Sequence, residues 1–268
     1  MSIKFGIVYI NLFFILFSCS RQNQFPVKQT EKTGVENVVL DKSFNTVEKS
    51  SKVDSVRLNI FGNELVEIMQ YIQWYEDQNS KFDLNELESL WNQLRNQSPH
   101  FSSDDLSNWI EITGFLLEIT GKSRYGESMQ EIACQDKSSF FDKEIKAIEN
   151  RLIPIIFTKN VDHIHVNIFA NATIKYEHTL KGAVEITQET NFPESGKVQL
   201  TFKMENKRYI ELYIRIPDWA EGATVTEKGV KYVTIPGRYC QISRKWSTGD
   251  FVEIIIPIEN IPAAYKIN

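Results

Sequence analysis

Two histidines separated by one residue are the first candidates for chemistry. His163 and His165 alternate with the apolar Ile164 and Val166, so a strand would place both imidazoles on one face. Two imidazoles on one face are compatible with metal ligation. Because no third ligand lies nearby in the sequence, the spacing favours two histidines on the solvent-facing or domain-facing side of an amphipathic strand, with metal ligation as the alternative.

A pair of glutamates is the second candidate. Glu111 and Glu118 are seven residues apart in a helical pattern and therefore share a helix face. Two carboxylates on opposite sides of a cleft can hydrolyse glycosides when they stand about 5–9 Å apart. Glutamates on one helix face are more typical of a solvated surface, and we favour that interpretation.

Aromatic side chains could form a sugar-stacking platform. Trp219 and Trp246 offer indole rings, but both lie within strings typical of turns and of a sandwich core, so we favour structural roles. Tyr71, Trp74 and Tyr75 fall within about one helical turn, a spacing more typical of a helical core than of a binding surface.

The three cysteines have different contexts. Cys19 follows an apolar run over residues 7–17, and the string Leu16-Phe17-Ser18-Cys19 resembles a bacterial lipobox. This resemblance implies cleavage before Cys19 and lipid attachment to its thiol and new amino terminus, with an ordinary cleaved signal peptide as the alternative. Cys134 and Cys240 lie in different segments and are predicted to be two separately buried thiols, although an exported protein could pair them.

The chain divides into four predicted segments. Residues 1–19 are read as a lipoprotein signal peptide, and the polar residues 20–57 as a disordered tether. Residues 58–152 carry apolar side chains every three or four positions and are predicted to be helical. The first helix is expected over 61–75, and the second begins at Asp83 and stops before Pro99. A third begins at 103–105 and ends at Gly121, and another begins over 125–134.

Residues 153–268 have the period of strands instead. Apolar and polar side chains alternate at 163–168, 197–203 and 210–216, and turn residues separate these runs. Strands with one apolar face must bury those faces against each other, as two packed sheets do. The fold class predicted is α+β, a short helical segment followed by an antiparallel β-sandwich.

Several strings in this C-terminal part resemble one family. The string TQETNFP at 187–193 followed by GKV at 196–198 is similar to TQETDYPWDGKV, and YIRIPDWAEGATV at 213–225 is similar to LRIPxWAxGATV. Residues 244–258 are similar to the ending RxWxxGDxVxLxxPM, and residues 162–169 to DGLYVNLY. All four of these reference patterns are those of the β-L-arabinofuranosidases of glycoside hydrolase family 127, which this part of the chain therefore resembles.

The resemblance continues more weakly upstream. Trp109, Leu116-Leu117, Thr120-Gly121, Arg124-Tyr125 and Glu127 are similar to the family's W…LLxLTGDxRYAdE pattern, at the end of its (α/α)6 catalytic barrel. The resemblance therefore implies that residues 61–150 are a remnant of this barrel. The segment is too short for all of its helices, so we interpret the chain as a truncated relative.

The family's chemistry, as the resemblance implies it, needs a zinc-held cysteine nucleophile and a glutamate acid/base. Ser102 and Asp104 stand where a Glu-x-Cys pair of zinc ligands is expected, and residues 148–153, where a Cys-Cys pair is expected, contain no cysteine. Without the thiolates there is neither a nucleophile nor most of the metal affinity. We therefore assign no catalytic residue, no metal ligand and no cofactor, and we identify no carbohydrate-contact residue.

The expected function is that of a lipid-anchored, exported relative of family 127 without hydrolase activity, possible partners being a glycan or an envelope protein. The expected location is the bacterial cell envelope, on the periplasmic or outer-surface face. A net charge of −5 with no Lys/Arg cluster gives no reason to expect nucleic acid. Three alternatives remain open. The first is an active glycosidase with different carboxylates in a cleft between helices and sandwich, and the second is a structural interaction module with an exposed apolar patch on its helices. The third is a decayed fragment whose product folds poorly.

Overall fold

A computed structural model describes residues 38–40, 62–95, 103–134 and 150–265 of the chain. The described helices precede the sheets in the chain, as the sequence predicts, except for one short N-terminal strand. The fold class is α+β, which confirms the prediction. No helix in these ranges is both long and apolar enough to cross a bilayer.

Five helices make up the helical segment as far as it is described. They are α1 (Gly62–Glu76), α2 (Leu84–Arg95), α3 (Ser103–Thr120), α4 (Ser123–Cys134) and α5 (residues 150–156). The Asp83 carboxylate accepts hydrogen bonds from the amides of Asn85 (2.8 Å) and Glu86 (3.3 Å), so it caps α2 as predicted. Gly121, at φ +63°, follows α3 in the left-handed region that ends many helices.

Aromatic rings hold the helices together. Trp91 of α2 stacks on Trp109 of α3 with ring centroids 5.2 Å apart, and the edge of Tyr125 from α4 meets Trp91. The Trp91 indole donates to the Thr113 hydroxyl at 2.9 Å, so its one polar atom is satisfied inside the core. In α1, Tyr71 contacts Trp74, and Tyr75 packs against Phe115, as expected for core residues.

Eleven strands are described, and they form two sheets. One sheet has seven strands in the order β1-β4-β5-β6-β11-β8-β9, and the other has four in the order β10-β7-β3-β2. All described strand pairs are antiparallel except β3 with β7. The strands are β1 (Val38–Leu40), β2 (Phe157–Asn160), β3 (His163–Val166), β4 (Ala172–Glu177), β5 (Ala183–Thr190), β6 (Lys197–Met204), β7 (Arg208–Arg215), β8 (Thr224–Glu227), β9 (Val230–Tyr232), β10 (Tyr239–Trp246) and β11 (Phe251–Ile255).

The apolar faces of the two sheets form the core of the sandwich. Alternate residues are buried along the longer strands β5, β6 and β7, as in Ile210, Leu212 and Ile214 of β7. Trp246 is fully buried, stacks on Phe202 at 4.0 Å and donates its indole hydrogen to the backbone oxygen of Ile210. The expected structural role of Trp246 is therefore confirmed.

Strand β1 lies inside residues 20–57, where the sequence predicts a disordered tether. Val38, Val39 and Leu40 pair with Ile174, Thr173 and Ala172 of β4, so these three residues have an ordered partner. Cys19, the rest of the predicted tether and the predicted signal peptide lie outside the described residues. At the other predicted boundary, α5 runs to residue 156 and β2 begins at once with Phe157.

Candidate functional site

The junction between α4 and the four-stranded sheet is the place where a cleft between helices and sandwich would have to lie. Five polar or aromatic side chains meet there, and we call them the junction cluster: Glu127, Gln130, Arg215, Trp219 and Tyr265. Glu127 and Gln130 are three residues apart and share one face of α4. Arg215 ends β7, Trp219 lies in the turn that follows, and Tyr265 belongs to a C-terminal 3₁₀ turn, Ala263–Tyr265.

Arg215 stands at the centre of the junction cluster and is 0% exposed. Its guanidinium donates to the backbone oxygen of Asn167 through Nε (2.6 Å), to Gln130 Oε1 through Nη2 (3.2 Å) and to Glu127 Oε2 through Nη1. A buried guanidinium needs such a set of acceptors, because its desolvation is otherwise very costly.

Glu127 is equally enclosed, with 3% of its surface exposed. Oε2 receives the Arg215 guanidinium, while Oε1 accepts the Trp219 indole N–H at 3.0 Å and the Tyr265 hydroxyl. Burial raises the pKa of the Glu127 carboxyl, and the positive charge of Arg215 opposes this rise. With donors on both oxygens and almost no solvent access, this carboxylate has no room to meet a substrate.

Gln130 joins α4 to the chain between β3 and β4. The backbone amide of Phe169 donates to Gln130 Oε1 at 2.6 Å, and Gln130 Nε2 donates back to the Phe169 oxygen at 3.3 Å. Neighbouring Asn167 is held by the Tyr239 hydroxyl, which donates to its Oδ1 at 2.6 Å. Helix and sheets are therefore linked by paired polar groups rather than by apolar contact alone.

A glycine lets α4 approach the sheet this closely. A Cβ atom at Gly126 would lie 2.9 Å from Arg215 Cδ and 3.4 Å from the Asn167 backbone oxygen. Because the Arg215 guanidinium is fixed at three points, it cannot easily move aside. The junction is therefore polar, and its two charged side chains, Glu127 and Arg215, are buried against protein partners.

A second acidic residue borders the junction cluster. Glu131 follows one turn after Glu127 and pairs with Arg95 of α2 at 3.3 Å. Burial raises the pKa of the Glu131 carboxyl, and Arg95 opposes this. The ion pair ties α4 to α2, so this carboxylate also has a structural partner.

The two candidate histidines occupy one face of β3, as predicted. The His165 ring is buried and stacks on Tyr213 with centroids 4.6 Å apart, while His163 is half-buried and lies 3.6 Å from a Glu211 oxygen. Within the described ranges, no three His, Cys, Asp or Glu side chains are grouped so that they could hold a metal ion.

The other candidates are separated from one another. Glu111 and Glu118 are exposed on α3, and Glu111 forms an ion pair with Arg151. The exposed-face interpretation of these glutamates is confirmed. Trp219 lies in a turn, packs against the core and contacts Tyr265 edge to face, so the expected structural role is confirmed. Its indole also donates to the Glu127 carboxylate in the junction cluster.

Cys134 and Cys240 are free, buried thiols, which confirms that prediction. Burial raises the pKa of each thiol to about 11, and a hydrogen bond from Gln130 partly opposes this at Cys134. The resemblance implies zinc ligands at two places in the chain. At the first place, Ser102 lies outside the described residues. At the second, residues 148–149 lie outside them and residues 150–153 lie on α5.

Sequence reasoning missed the junction cluster, although most of its members stand in strings already singled out. A fully buried ion pair needs two partners, and Glu127 and Arg215 are 88 residues apart. One feature of the sequence could have indicated the junction cluster. Arg215 is a charged residue between Ile214 and Ile216, and such a residue needs a partner if it is buried.

Comparison with known proteins gives one family match. Residues 163–258 match the family described as Beta-L-arabinofuranosidase, GH127 middle domain. No curated protein has a significantly similar sequence.

Solved structures with a similar arrangement include enzymes of this family. A GH127 β-L-arabinofuranosidase from Geobacillus stearothermophilus T6 is 25% identical with a TM-score of 0.47, over 57% of this chain and 30% of that one. The GH127 β-arabinofuranosidase BT3674 is 16% identical with a TM-score of 0.46, over 56% of this chain and 32% of that one. The chain thus covers about a third of the length of these structures.

The matched residues begin at β3 and continue beyond β11, so they include most of the sandwich and the strings on which the resemblance was recognised. The chain is therefore related, through its β-sandwich, to the middle domain of the GH127 β-L-arabinofuranosidases.

Proposed function

We propose that this chain is an exported, lipid-anchored, non-catalytic relative of the GH127 enzymes that associates with carbohydrate. The observation that carries the proposal is the state of Glu127, the carboxylate at the helix–sandwich junction. Both of its oxygens receive hydrogen bonds from protein side chains, and it is almost completely buried. A general acid or nucleophile must come within hydrogen-bond reach of its substrate, and Glu127 is committed to the fold instead.

The cysteines support the same conclusion. The sequence contains three cysteines and no adjacent pair, so it cannot supply the Cys-Cys pair that the resemblance implies. Cys134 and Cys240 are buried with raised pKa values, so both stay protonated at neutral pH, and a protonated thiol is a poor nucleophile and metal ligand. The attacking thiolate of the family's reaction therefore has no equivalent among these residues.

Export and anchoring are proposed from the N-terminal residues. The apolar run over residues 7–17 and the lipobox-like string ending at Cys19 support a lipoprotein signal. Two or more acyl chains on one residue would hold the protein on a membrane stably, because each buried methylene adds about 0.8 kcal/mol. The proposed location is the bacterial cell envelope.

The association with carbohydrate is proposed from the family match of the sandwich. An interaction module that docks through its helices is less well supported. The large apolar side chains that are exposed in the described ranges lie in the sandwich, at positions such as Leu180, Val233 and Phe251, and not on the described parts of the helices.

The test is a hydrolysis assay on an aryl β-L-arabinofuranoside with the purified full-length chain. It is run with added zinc, with a chelator and after treatment with a cysteine-modifying reagent. We expect no turnover above the uncatalysed rate in any arm. Zinc-dependent release of the aryl group that the cysteine reagent abolishes would overturn the proposal.

A matched variant distinguishes a true activity from a contaminant. Glu127→Gln keeps the size of the side chain but removes its charge and acidity. If the wild-type chain shows turnover and Glu127→Gln loses it while remaining folded, the junction carboxylate is catalytic and the proposal is wrong.

A further inference from the structure

The outer face of the four-stranded sheet carries a second polar cluster, which lies next to the junction cluster along β7. Tyr209, Glu211 and Tyr213 alternate along β7 on the side opposite the core. Strand register places Gln241 beside Tyr213, and His163 beside Glu211. We call these five residues the Glu211 face.

The Glu211 carboxylate fixes the two tyrosines. Tyr213 donates its hydroxyl to Oε2 at 2.7 Å, and Tyr209 donates to Oε1 at 3.3 Å. Gln241 Nε2 also donates to Oε2, at 3.3 Å. A carboxylate oxygen can accept two hydrogen bonds, so Oε1, which receives the Tyr209 hydroxyl, retains capacity for a ligand hydroxyl.

The rings are presented to solvent in a defined orientation. Tyr209 is 46% exposed at one end of the face. Tyr213 is half-buried, and its ring is supported by the parallel ring of His165. Two tyrosines four residues apart on a strand are separated by about 13 Å, a distance suited to an extended ligand. Because their hydroxyls are already bonded to Glu211, little side-chain freedom would be lost on binding.

The charge of the face selects the ligand class. Glu211 is the one acidic residue of the Glu211 face, and it lies beside His163, while the exposed Lys245 stands opposite Tyr209 on β10. This balance offers neither a cationic surface for polyanions nor an acidic one for polycations. Aromatic rings together with amide and carboxylate groups suit a neutral ligand that presents both C–H surfaces and hydroxyls.

We propose that the Glu211 face binds a neutral polysaccharide, with Tyr209 as its exposed aromatic contact and Glu211 and Gln241 as hydrogen-bonding partners. This inference rests on the proposed association with carbohydrate and gives it a location. Binding on this face requires no reaction, so the inference holds whether or not the chain hydrolyses a glycoside.

The experiment measures retardation of the full-length chain in native gels that contain arabinoxylan, dextran or the anionic polygalacturonate. We expect at least one neutral polysaccharide to retard the wild-type chain and polygalacturonate to have no effect. Tyr209→Ala should weaken this binding by about tenfold or more, because truncating the main exposed aromatic contact of a binding surface has effects of this size. Tyr209→Phe, which keeps the ring, should retain most of it.

Phe251 provides a matched control, since it is also 46% exposed but lies on β11 of the other sheet. Phe251→Ala should leave retardation unchanged. The inference is overturned if no neutral polysaccharide binds, if polygalacturonate binds more tightly, or if Phe251→Ala has the same effect as Tyr209→Ala. If a neutral polysaccharide binds but Tyr209→Ala has no effect, the location on the Glu211 face is overturned and the proposed association with carbohydrate stands. If no polysaccharide binds, both are overturned, while the hydrolysis assay is unaffected by either outcome.

Discussion

Arg215 and Glu127 form a fully buried ion pair that joins the end of β7 to the first turns of α4. The two residues come from strings that resemble different parts of the GH127 enzymes, one from the sandwich and the other from the helices before it. Their pairing makes the helical segment and the sandwich one packed structure, because neither charge could remain buried without the other.

Breaking this pair should be strongly destabilising. Glu127→Gln and Arg215→Met each leave the partner buried without a full counter-charge, so each should lower the free energy of unfolding by about 3–5 kcal/mol. Urea unfolding followed by circular dichroism measures the change. In the double variant the loss should be smaller than the sum of the two single losses, and additive losses would contradict a direct interaction.

A surface pair gives the comparison for this prediction. Lys175 and Glu185 lie 3.0 Å apart on β4 and β5, with the Lys175 side chain 56% exposed. Lys175→Met should change the free energy of unfolding by less than about 1 kcal/mol, because solvent screens exposed pairs. A similar loss for Lys175→Met and Arg215→Met would show that burial is not the cause.

Two helical glycines should respond differently to alanine. At Gly126 the new methyl group would meet Arg215 Cδ at 2.9 Å, and the Arg215 side chain is held by three hydrogen bonds. At Gly114 it would meet Cδ1 of Ile155 at 3.0 Å, the far end of a partly buried side chain that is held by no hydrogen bond. We expect Gly126→Ala to lower the melting temperature.

Gly114→Ala should leave the melting temperature nearly unchanged. The small steric cost should be offset because alanine favours a helix by roughly 0.5–1 kcal/mol over glycine. Thermal unfolding monitored by circular dichroism compares the two variants. Equal melting temperatures would argue against a tight contact between Gly126 and Arg215.

His165 should make stability depend on pH. Burial first, and then the neighbouring His163, lower the pKa of His165 from 6.5 to about 4. Between these values the unfolded chain binds a proton that the folded chain does not, so the free energy of unfolding falls as the pH decreases from 6.5 to about 4. His165→Phe keeps an aromatic ring beside Tyr213 and cannot titrate.

Urea unfolding at several pH values tests this prediction. The free energy of unfolding is measured for the wild-type chain and for His165→Phe, and the two pH profiles are compared. The decrease in stability over this pH range should be smaller in the variant. His163→Phe, at the half-buried neighbouring site, should retain more of the wild-type decrease, and an identical pH profile for His165→Phe would contradict the buried, neutral state.

The two buried thiols should be unreactive in the native protein. With pKa values raised to about 11 by burial, roughly one in a thousand of the Cys134 and Cys240 thiols would be ionised at pH 8. We expect neither to react with iodoacetamide in the native protein and both to react after denaturation, as counted by mass spectrometry. Modification of the native protein at either position would contradict their burial.

Cys19 completes this experiment. If the proposed lipid attachment is correct, protein from the membrane fraction should carry no reactive thiol at Cys19 and should show the added mass of acyl chains. Cys19→Ser should release the protein from the membrane fraction. Recovery of Cys19→Ser with the membranes would contradict the anchor.

The local pattern of the sequence predicted most of the secondary structure. The caps at Asp83 and Gly121 and the alternation along β6 and β7 depend on residues close together in the chain, so their effects can be read without knowing the fold. The two buried thiols and the exposed glutamates of α3 follow from the same patterns. The relation of the sandwich to the GH127 middle domain was also visible in short strings of residues.

The tertiary structure alone decided which polar residues share a site. Alternation placed Tyr213 and Arg215 on the same outward face of β7, but it could not distinguish the half-buried Tyr213 from Arg215, which α4 covers completely. That difference depends on how a helix 88 residues earlier in the chain packs on the sheet, and on a glycine that lets it approach. Contacts between distant segments depend on the packing of whole elements, and residue spacing within one element contains no information about them.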